Sequence, residues 1–383
     1  MGLAADHQIF LASCVLVLAG AGLRAEDRPP DAVRADEVVE FFPTLASPTA
    51  DGGWLVRIHG WIYEPEADSL KRDAAVRAFR ESLRLFDIAT ETPEARAILD
   101  QRARRFLVDN ERGKKLPLRI GRSEILGPES DADGHFALTR VFSSAELIGD
   151  HAARDPGITV RAVLPASDPR VVEGTVFLIP ARGLSIVSDI DDTIKITEVR
   201  DRSRLVFTTF CRKFEEAPGM AALYRDLSAD PHRSVAFHYL SGSPYQLAAP
   251  LAEFMRDAGF PAGSLHLRRI RLKDKSALDM FDSPDLHKLA VLRDLADTWP
   301  SRRFLLIGDS GERDPEIYAR FAREHPGRVE RIAIRNVSHE ARGAARYKEA
   351  FRDLPETLWI VFDPDAVPPS AEILSPTPEE PKP

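Results

Sequence analysis

Cysteine is nearly absent. The 383-residue chain has two, Cys14 and Cys211, so no disulfide framework holds it together. Cys211 reads as a small buried hydrophobe. Positive charge is also short: 52 Lys and Arg stand against 60 Asp and Glu, a formal net charge of -8. That balance argues against a nucleic-acid binder. No internal repeat is present. The apolar stretch Ile9 to Leu23 is too short for a confident membrane span. It reads instead as a signal peptide, residues 1–25, with cleavage after Ala25 or Ala21. Against this, Met1 to Gln8 carries no Lys or Arg. Leu11-Ala-Ser-Cys14 also matches a lipoprotein cleavage box, but the apolar run continues past Cys14. Lipidation and an uncleaved anchor therefore rank below cleavage. The Met-Gly start does not make a myristoylation signal, because Asp6 stands where Ser or Thr belongs. The expectation is an exported protein, periplasmic or secreted, with or without a membrane attachment.

What is present is an ordinary globular composition, 44% hydrophobic and 29% charged, over a length suited to two or three domains. Residues 26–36 read as a linker. Residues 37–180 read as a β-rich, sandwich-like domain with a helical insertion. Its strands are Trp54–Tyr63, Leu116–Ile120, Gly134–Val141, Thr159–Leu164 and Gly174–Ile179. The insertion shows helical spacing at Ala74, Val76, Phe79, Leu83 and Phe86. A second helix opens at Thr92-Pro93, with Thr92 as cap, and runs to about Val108. From residue 184 the pattern changes. Short apolar runs at Leu184–Ser188, Val235–Leu240, Phe304–Gly308, Val329–Ile334 and Leu358–Phe362 alternate with amphipathic helices. That alternation predicts a parallel α/β sheet over residues 181–363. The Pro- and Glu-rich stretch 364–383 reads as a disordered tail.

In an open parallel sheet, ligands sit at the carboxyl ends of the strands. Asp189-Ile-Asp191-Asp192-Thr193 follows the first run, Ser241-Gly242-Ser243 the second, and Asp309-Ser-Gly-Glu-Arg-Asp314 the third. Carboxylates gathered at one place repel unless a cation compensates. Magnesium suits such oxygen donors, and an Asp can serve as a nucleophile.

These strings resemble the four motifs of the haloacid dehalogenase superfamily. Asp-Ile-Asp-Asp-Thr is similar to the first, Ser241 to the second, Lys288 in His287-Lys288 to the third, and Gly-Asp-Ser-Gly-Glu-Arg-Asp to the fourth. The longer strings Ser185–Lys195, Tyr239–Leu247 and Ile307–Tyr318 resemble the actin-patch-associated phosphatidate phosphatase family. The resemblance covers residues 184–340 well and 37–180 loosely. It implies a Rossmann-like parallel sheet of haloacid dehalogenase type and a Mg2+-dependent phosphatase working through an aspartyl-phosphate. Asp189 would be nucleophile and metal ligand. Asp191 would be the general acid and base and offer its carbonyl to the metal. Thr193 would hold the loop, Ser241 and the Gly242 amide would bind phosphoryl oxygens, and Lys288 would neutralise charge. Asp309 and Asp314 would complete the metal shell. Phosphatidate is the implied substrate; a soluble or protein-bound phosphate, or an inactive phosphate- or lipid-binding protein, are the alternatives. A serine esterase is disfavoured because Tyr245 occupies the second glycine position of the nucleophile elbow. A lone Asp-x-Asp is usually a solvated turn, and the four motifs in order at their proper elements outweigh that reading. Asp192 reads as a loop hydrogen-bonder and His238 as a core histidine; His287 reads as structural.

The intervals 194–234 and 244–286 leave no room for a full cap domain, so a nearly capless, open site is expected. Residues 200–214 interleave Arg200, Arg202, Arg204, Arg212 and Lys213 with Phe207, Phe210 and Phe214. Such a flap suits an anionic membrane surface, or it packs on the core. The expected partner is a phosphorylated substrate, lipid or soluble, and no nucleic acid; the oligomeric state is not legible.

Overall fold

The computed structural model describes residues 31–65, 76–77, 92–147, 157–230, 233–270 and 285–374. The signal-peptide segment, most of the helical pattern at 68–88 and the last nine residues lie outside them. In the first half, strands β1 (Val38–Phe41), β2 (Thr44–Pro48) and β3 (Trp54–Glu64) lead to helix α1 (Pro93–Arg104). Then come β4 (Asp109–Asn110), β5 (Lys115–Ile120), β6 (Ser123–Glu129), β7 (His135–Phe142), the short α2 (Ser144–Leu147), β8 (Gly157–Ala162) and β9 (Glu173–Leu178). The nine strands form one hydrogen-bonded network, β1-β3-β2-β9-β8-β5-β6, with β4 and β7 also on β3. Ile58 of β3 and Leu118 of β5 share a single core although they lie far apart along that path. The sheet therefore curls around its apolar face, where the alternation of residues suggested two separate sheets.

Helix α1 begins as its sequence dictates. The Thr92 side chain accepts from the Ala95 amide, and Pro93 occupies the first turn, where its missing N–H costs nothing. It ends at Arg104, a turn earlier than its apolar pattern suggested.

The second half runs β10 (Arg182–Asp189), α3 (Arg202–Phe210), α4 (Met220–Ser228), β11 (Val235–Pro244), α5 (Ala248–Asp257), β12 (Ser264–Arg268), α6 (Asp285–Thr298), β13 (Ser301–Asp309), α7 (Asp314–Glu324), β14 (Val329–Arg335), α8 (Ala345–Ala350), β15 (Trp359–Phe362) and α9 (Ser370–Leu374). Its six strands are all parallel, in the order β12-β11-β10-β13-β14-β15. The order reverses at β10, so the crevice at the carboxyl ends of β10, β11 and β13 is the natural ligand position.

The tail departs from the compositional reading. Ser370–Leu374 is helical and Ile373 is fully buried in the core beside Met220 and Leu227. Three apolar residues, Val367, Ile373 and Leu374, pack there. They are too few to register against the surrounding prolines and acids.

The two halves share cores. Phe42, Trp61 and Tyr63 of the first sit in one cluster with Tyr245, Leu265 and Ile307 of the second. Leu45, Phe177 and Ile179 join Trp299 and Leu240 in another. Polar ties reinforce the join: Leu265 N donates to Pro43 O at 3.0 Å, and Trp299 Nε1 donates to Ile179 O at 3.1 Å.

The flap of residues 200–214 contains α3, capped by Asp201, whose side chain accepts from the Ser203 and Arg204 amides. Phe210 is 1% exposed, packs against Phe106 at 5.5 Å between ring centroids and belongs to a cluster with Leu99 and Ala103 of α1. Phe207 is half-buried against the same cluster. Phe210 thus serves the core, and the membrane-docking reading fails for it. Phe210→Ala is expected to cost about 3–5 kcal/mol and to lower the melting temperature by roughly ten degrees. Thermal melting checks this. A loss of activity confined to vesicle-borne substrate, with melting unchanged, would restore the docking role.

Candidate functional site

β10 ends on Asp189, whose neighbours across the sheet are Leu240 of β11 and, one residue earlier at Ser188, Ile307 of β13. Asp189 therefore projects where Ser241 and Asp309 also emerge. The chain then turns sharply. Asp192 has φ 54, a left-handed conformation that Asp tolerates. Its carboxylate accepts the amides of Thr197 at 2.7 Å, Glu198 at 2.8 Å and Val199 at 2.7 Å. Arg335, at the end of β14, donates to the Asp192 carbonyl at 2.9 Å. Asp192 therefore holds the loop, as its reading as a loop hydrogen-bonder suggested, and takes the task that the resemblance implied for Thr193. The Thr193 hydroxyl is buried and has no hydrogen-bond partner.

Lys288 is fully buried near the start of α6. Its ammonium lies 2.7 Å from Asp189 Oδ1, 2.8 Å from Glu312 Oε2 and 2.6 Å from Asp314 Oδ1. Asp314 opens α7, and its Oδ2 accepts the Asp309 amide at 3.2 Å. Gly308 is required beside it, since a Cβ there would stand 2.3 Å from Asp314 Oδ2. Asp309 Oδ1 accepts from Gly311 N at 2.5 Å.

Three carboxyl groups thus surround one ammonium, with Asp309 tied to Asp314 beside them. Burial, first, and then the neighbouring acids push the Asp189 carboxyl well up despite Lys288. Asp309 is raised in the same way, by burial and then by Asp314 and Glu312. Lys288 stays charged because Asp189, Asp314 and Glu312 outweigh its desolvation.

The donor set fits a small hard cation. Asp189 Oδ2 and Asp309 Oδ2 are buried without a hydrogen-bond partner, and Asp189 Oδ1 has only the Lys288 ammonium. Oxygen atoms of Asp189, Glu312 and Asp314 lie within 4.8 Å of one another. Buried carboxylate oxygens in that state need a counter-charge.

Asp191 faces elsewhere. Its Oδ1 lies 2.8 Å from Lys195 Nζ and accepts from Thr197 Oγ1 at 2.9 Å. Its Oδ2 accepts from Ser241 Oγ at 2.7 Å and Ser243 Oγ at 3.1 Å. Burial alone would raise its pKa, but Lys195, Ser241 and Thr197 outweigh it and pull it down to about 2. In this arrangement Asp191 is ionised at neutral pH and suits a base. To act as an acid it must exchange these partners. The structure thus gathers Asp189, Lys288, Asp309 and Asp314, and groups Asp191 with Ser241 in an adjoining nest, with Gly242 between the two serines.

Sequence reasoning missed Lys195, Ser243, Glu312 and Arg335 as members of the site. Lys195 lies four residues beyond Asp191, and Glu312 lies between two acids already singled out. Their positions in the motif strings were the available signals. His238 is buried and bonded to Ser264 Oγ at 2.9 Å and Ser185 Oγ at 3.2 Å, away from these acids. The site is also less open than expected: Asp189 is 1% exposed and Asp309 0%. The described parts of the intervals 194–234 and 244–286 are taken up by α3, α4, α5 and β12.

A parallel α/β domain with acids, hydroxyls and two buried lysines, Lys195 and Lys288, at its switch point belongs to the class that binds ligands at strand ends. Residues 184–336 match the family described as phosphatidate phosphatase APP1, catalytic domain. Among curated proteins, phosphatidate phosphatase APP1 of Saccharomyces cerevisiae is 32% identical over 162 residues, 41% of this chain and 26% of that protein. An uncharacterized protein of Schizosaccharomyces pombe is 28% identical over 240 residues, 60% of this chain and 38% of that protein. The chain thus spans well under half the length of the relatives it matches. A sialyltransferase structure from Photobacterium damsela shares 9% identity at a TM-score of 0.20, covering 58% of this chain and 37% of that one, and carries no argument.

Proposed function

We propose that the protein is a Mg2+-dependent phosphatase of haloacid dehalogenase type that hydrolyses a phosphomonoester through an aspartyl-phosphate on Asp189, with phosphatidate as the leading substrate. The observation that carries this is the buried Asp189 carboxylate at the end of β10, with Oδ1 paired to the Lys288 ammonium and Oδ2 without a hydrogen-bond partner. Phosphatidate rests on the family match and on the name of the budding-yeast relative.

Asp189, Asp309 and Asp314, with Glu312 beside them, would hold the metal, together with the Asp191 carbonyl. Bound there, the metal supplies positive charge that lets one anion approach another. The remaining steps belong to the chain. An Asp189 oxygen attacks phosphorus and the bond to the leaving oxygen breaks. Lys288 neutralises the developing charge between nucleophile and phosphoryl group. Asp191, once released from Lys195 and Ser241, takes up a proton from solvent and delivers it to the leaving oxygen. It then takes a proton from the water that cleaves the acyl-phosphate, the step its ionised state already suits. Ser241 and the Gly242 amide lie where they can turn to phosphoryl oxygens when Asp191 moves.

The test is phosphate release from phosphatidate and from a small soluble ester, with magnesium and with chelator. Chelation is expected to remove activity and magnesium to restore it. Calcium is expected to substitute poorly, since its larger and looser shell misplaces the nucleophile. Activity that survives exhaustive chelation would overturn the metal assignment. Turnover of the soluble ester alone would leave a soluble or protein-bound phosphate as the substrate. Among the described residues no helix is long and apolar enough to cross a membrane. Export, and any contact with a membrane surface, are proposals that rest on the N-terminal segment.

A further inference from the structure

Arg102 is a buried cation with no ion pair among the described residues. It is 6% exposed and lies in α1, which the first half of the chain contributes. Among the described residues its hydrogen-bond partners are three carbonyls of the second half: Thr208 O at 3.5 Å, Thr209 O at 2.5 Å and Arg212 O at 2.8 Å. Thr208 O and Thr209 O are carbonyls that the end of α3 leaves open, where a positive charge is favourable, and Arg212 O lies just beyond the helix cap. The guanidinium also lies 3.8 Å from the centroid of the Phe214 ring. The same ring has Lys195 Nζ 4.8 Å from its centroid. Lys195 in turn ion-pairs with Asp191.

The backbone carries the connection as well. Ile196 N donates to Glu215 O at 2.9 Å, and Ala217 N donates to Ile194 O at 2.9 Å. The segment that Arg102 holds, 212–217, is therefore paired to the segment that carries Lys195. One turn further on, Arg105 makes a second tie. Its Nε donates to Gln246 O at 2.6 Å, just beyond the Ser241–Ser243 strand end, and its other donors reach Tyr63 Oη at 3.2 Å and Glu40 at 2.5 Å in the first sheet. Helix α1 is thus fastened to both walls of the Asp191 nest.

We propose that Arg102 is a positioning residue for the Asp191–Lys195 pair, acting through Phe214 and the carbonyls at the end of α3, so that the N-terminal half of the chain is part of the catalytic unit. The bland alternative is a core arginine that stabilises the join between the halves and nothing more. The two differ in what a folded variant can do. If Arg102 only stabilises, a variant that remains folded retains its turnover. If it positions, turnover falls while substrate binding survives, because Asp189, Lys288 and Asp309 are untouched. The functional side of this inference rests on the phosphatase reading; the structural side does not.

The experiment compares full-length wild type, Arg102→Met, Arg102→Lys and Phe214→Leu. It measures kcat and KM on a small soluble phosphate ester below each variant's melting transition, and amide hydrogen exchange over residues 191–197. Arg102→Met is expected to lower kcat about tenfold or more, as small misplacements of catalytic groups do, with KM within about twofold. Exchange over 191–197 should accelerate. Arg102→Lys keeps a cation for the carbonyls and ring and should recover part of both. Phe214→Leu retains the carbonyl bonds, so it tests the ring alone if Arg102→Met does not fold. Unchanged kcat and unchanged exchange in folded Arg102→Met or Phe214→Leu would overturn the proposal. A wild type inactive on every phosphate ester sinks the phosphatase reading instead, while the exchange data still decide whether Arg102 orders the loop.

Discussion

Asp189→Asn is expected to reduce phosphate release by about three orders of magnitude or more, and to leave the melting temperature unchanged or raised. The activity loss follows because an amide cannot attack phosphorus and no second carboxylate stands in the same place. The stability effect follows from the charge balance. Asp189 is buried among Glu312, Asp314 and Asp309, and its carboxyl is pushed well above the usual range first by desolvation, with Lys288 opposing. A group whose folded pKa is raised destabilises the fold wherever it is forced to ionise. Asn has the same shape and no charge, so the substitution removes repulsion and strands no partner: Lys288 keeps Glu312 and Asp314. Phosphate release and calorimetry on the same preparation check both halves. Near-normal turnover would remove Asp189 from the nucleophile's role. A large fall in melting temperature would make it a structural anchor.

That combination, activity lost and stability kept, separates the acids from one another. Asp192→Asn should behave in the opposite sense, because its carboxylate accepts three amides that close the loop. The contrast was only partly legible in the sequence. The strand-end acids could be read because a parallel sheet forces its loops to one edge. Asp189, Ser241 and Asp309 emerged together on that rule, and Lys288 from the resemblance alone. Asp192 could be told apart as a loop hydrogen-bonder, but that one tight turn would send Asp189 to Lys288 and Asp191 to Lys195 could not be read. The loop-holding task that the resemblance implied for Thr193 falls to Asp192. The first sheet was legible as strands but not as one curled network, because alternation reports which face is buried and not which strand is the neighbour. Helix α1 was read correctly at its cap, yet nothing in its sequence could show that Arg102 reaches α3, 106 residues away. The helix at 370–374 was hidden by composition, since three apolar residues suffice to bury it when a ready-made groove exists.

Lys288→Met is expected to lower both stability and turnover strongly. The ammonium is the one cation in contact with Asp189, Glu312 and Asp314 among the described residues, all within 2.8 Å. Removing one partner of a buried ion cluster typically costs about 3–5 kcal/mol, because it leaves charge buried and unpaired. The acids can respond in two ways. They can take up protons, or a divalent cation can replace the lost charge. Without added metal, the variant should therefore melt well below the wild type and recover as the pH falls, since protonation removes the unpaired charge. Magnesium should raise its melting temperature by more than it raises that of the wild type, where Lys288 already offsets one of the negative charges. Turnover should remain low even with magnesium, by about two orders of magnitude or more, because the metal restores net charge but not the cation between nucleophile and phosphoryl group. Melting curves of both proteins, with chelator and with magnesium at two pH values, read all of this at once. A variant that melts like the wild type and ignores magnesium would mean that the four acids are already neutralised by protons, and that the cluster is not built for a cation.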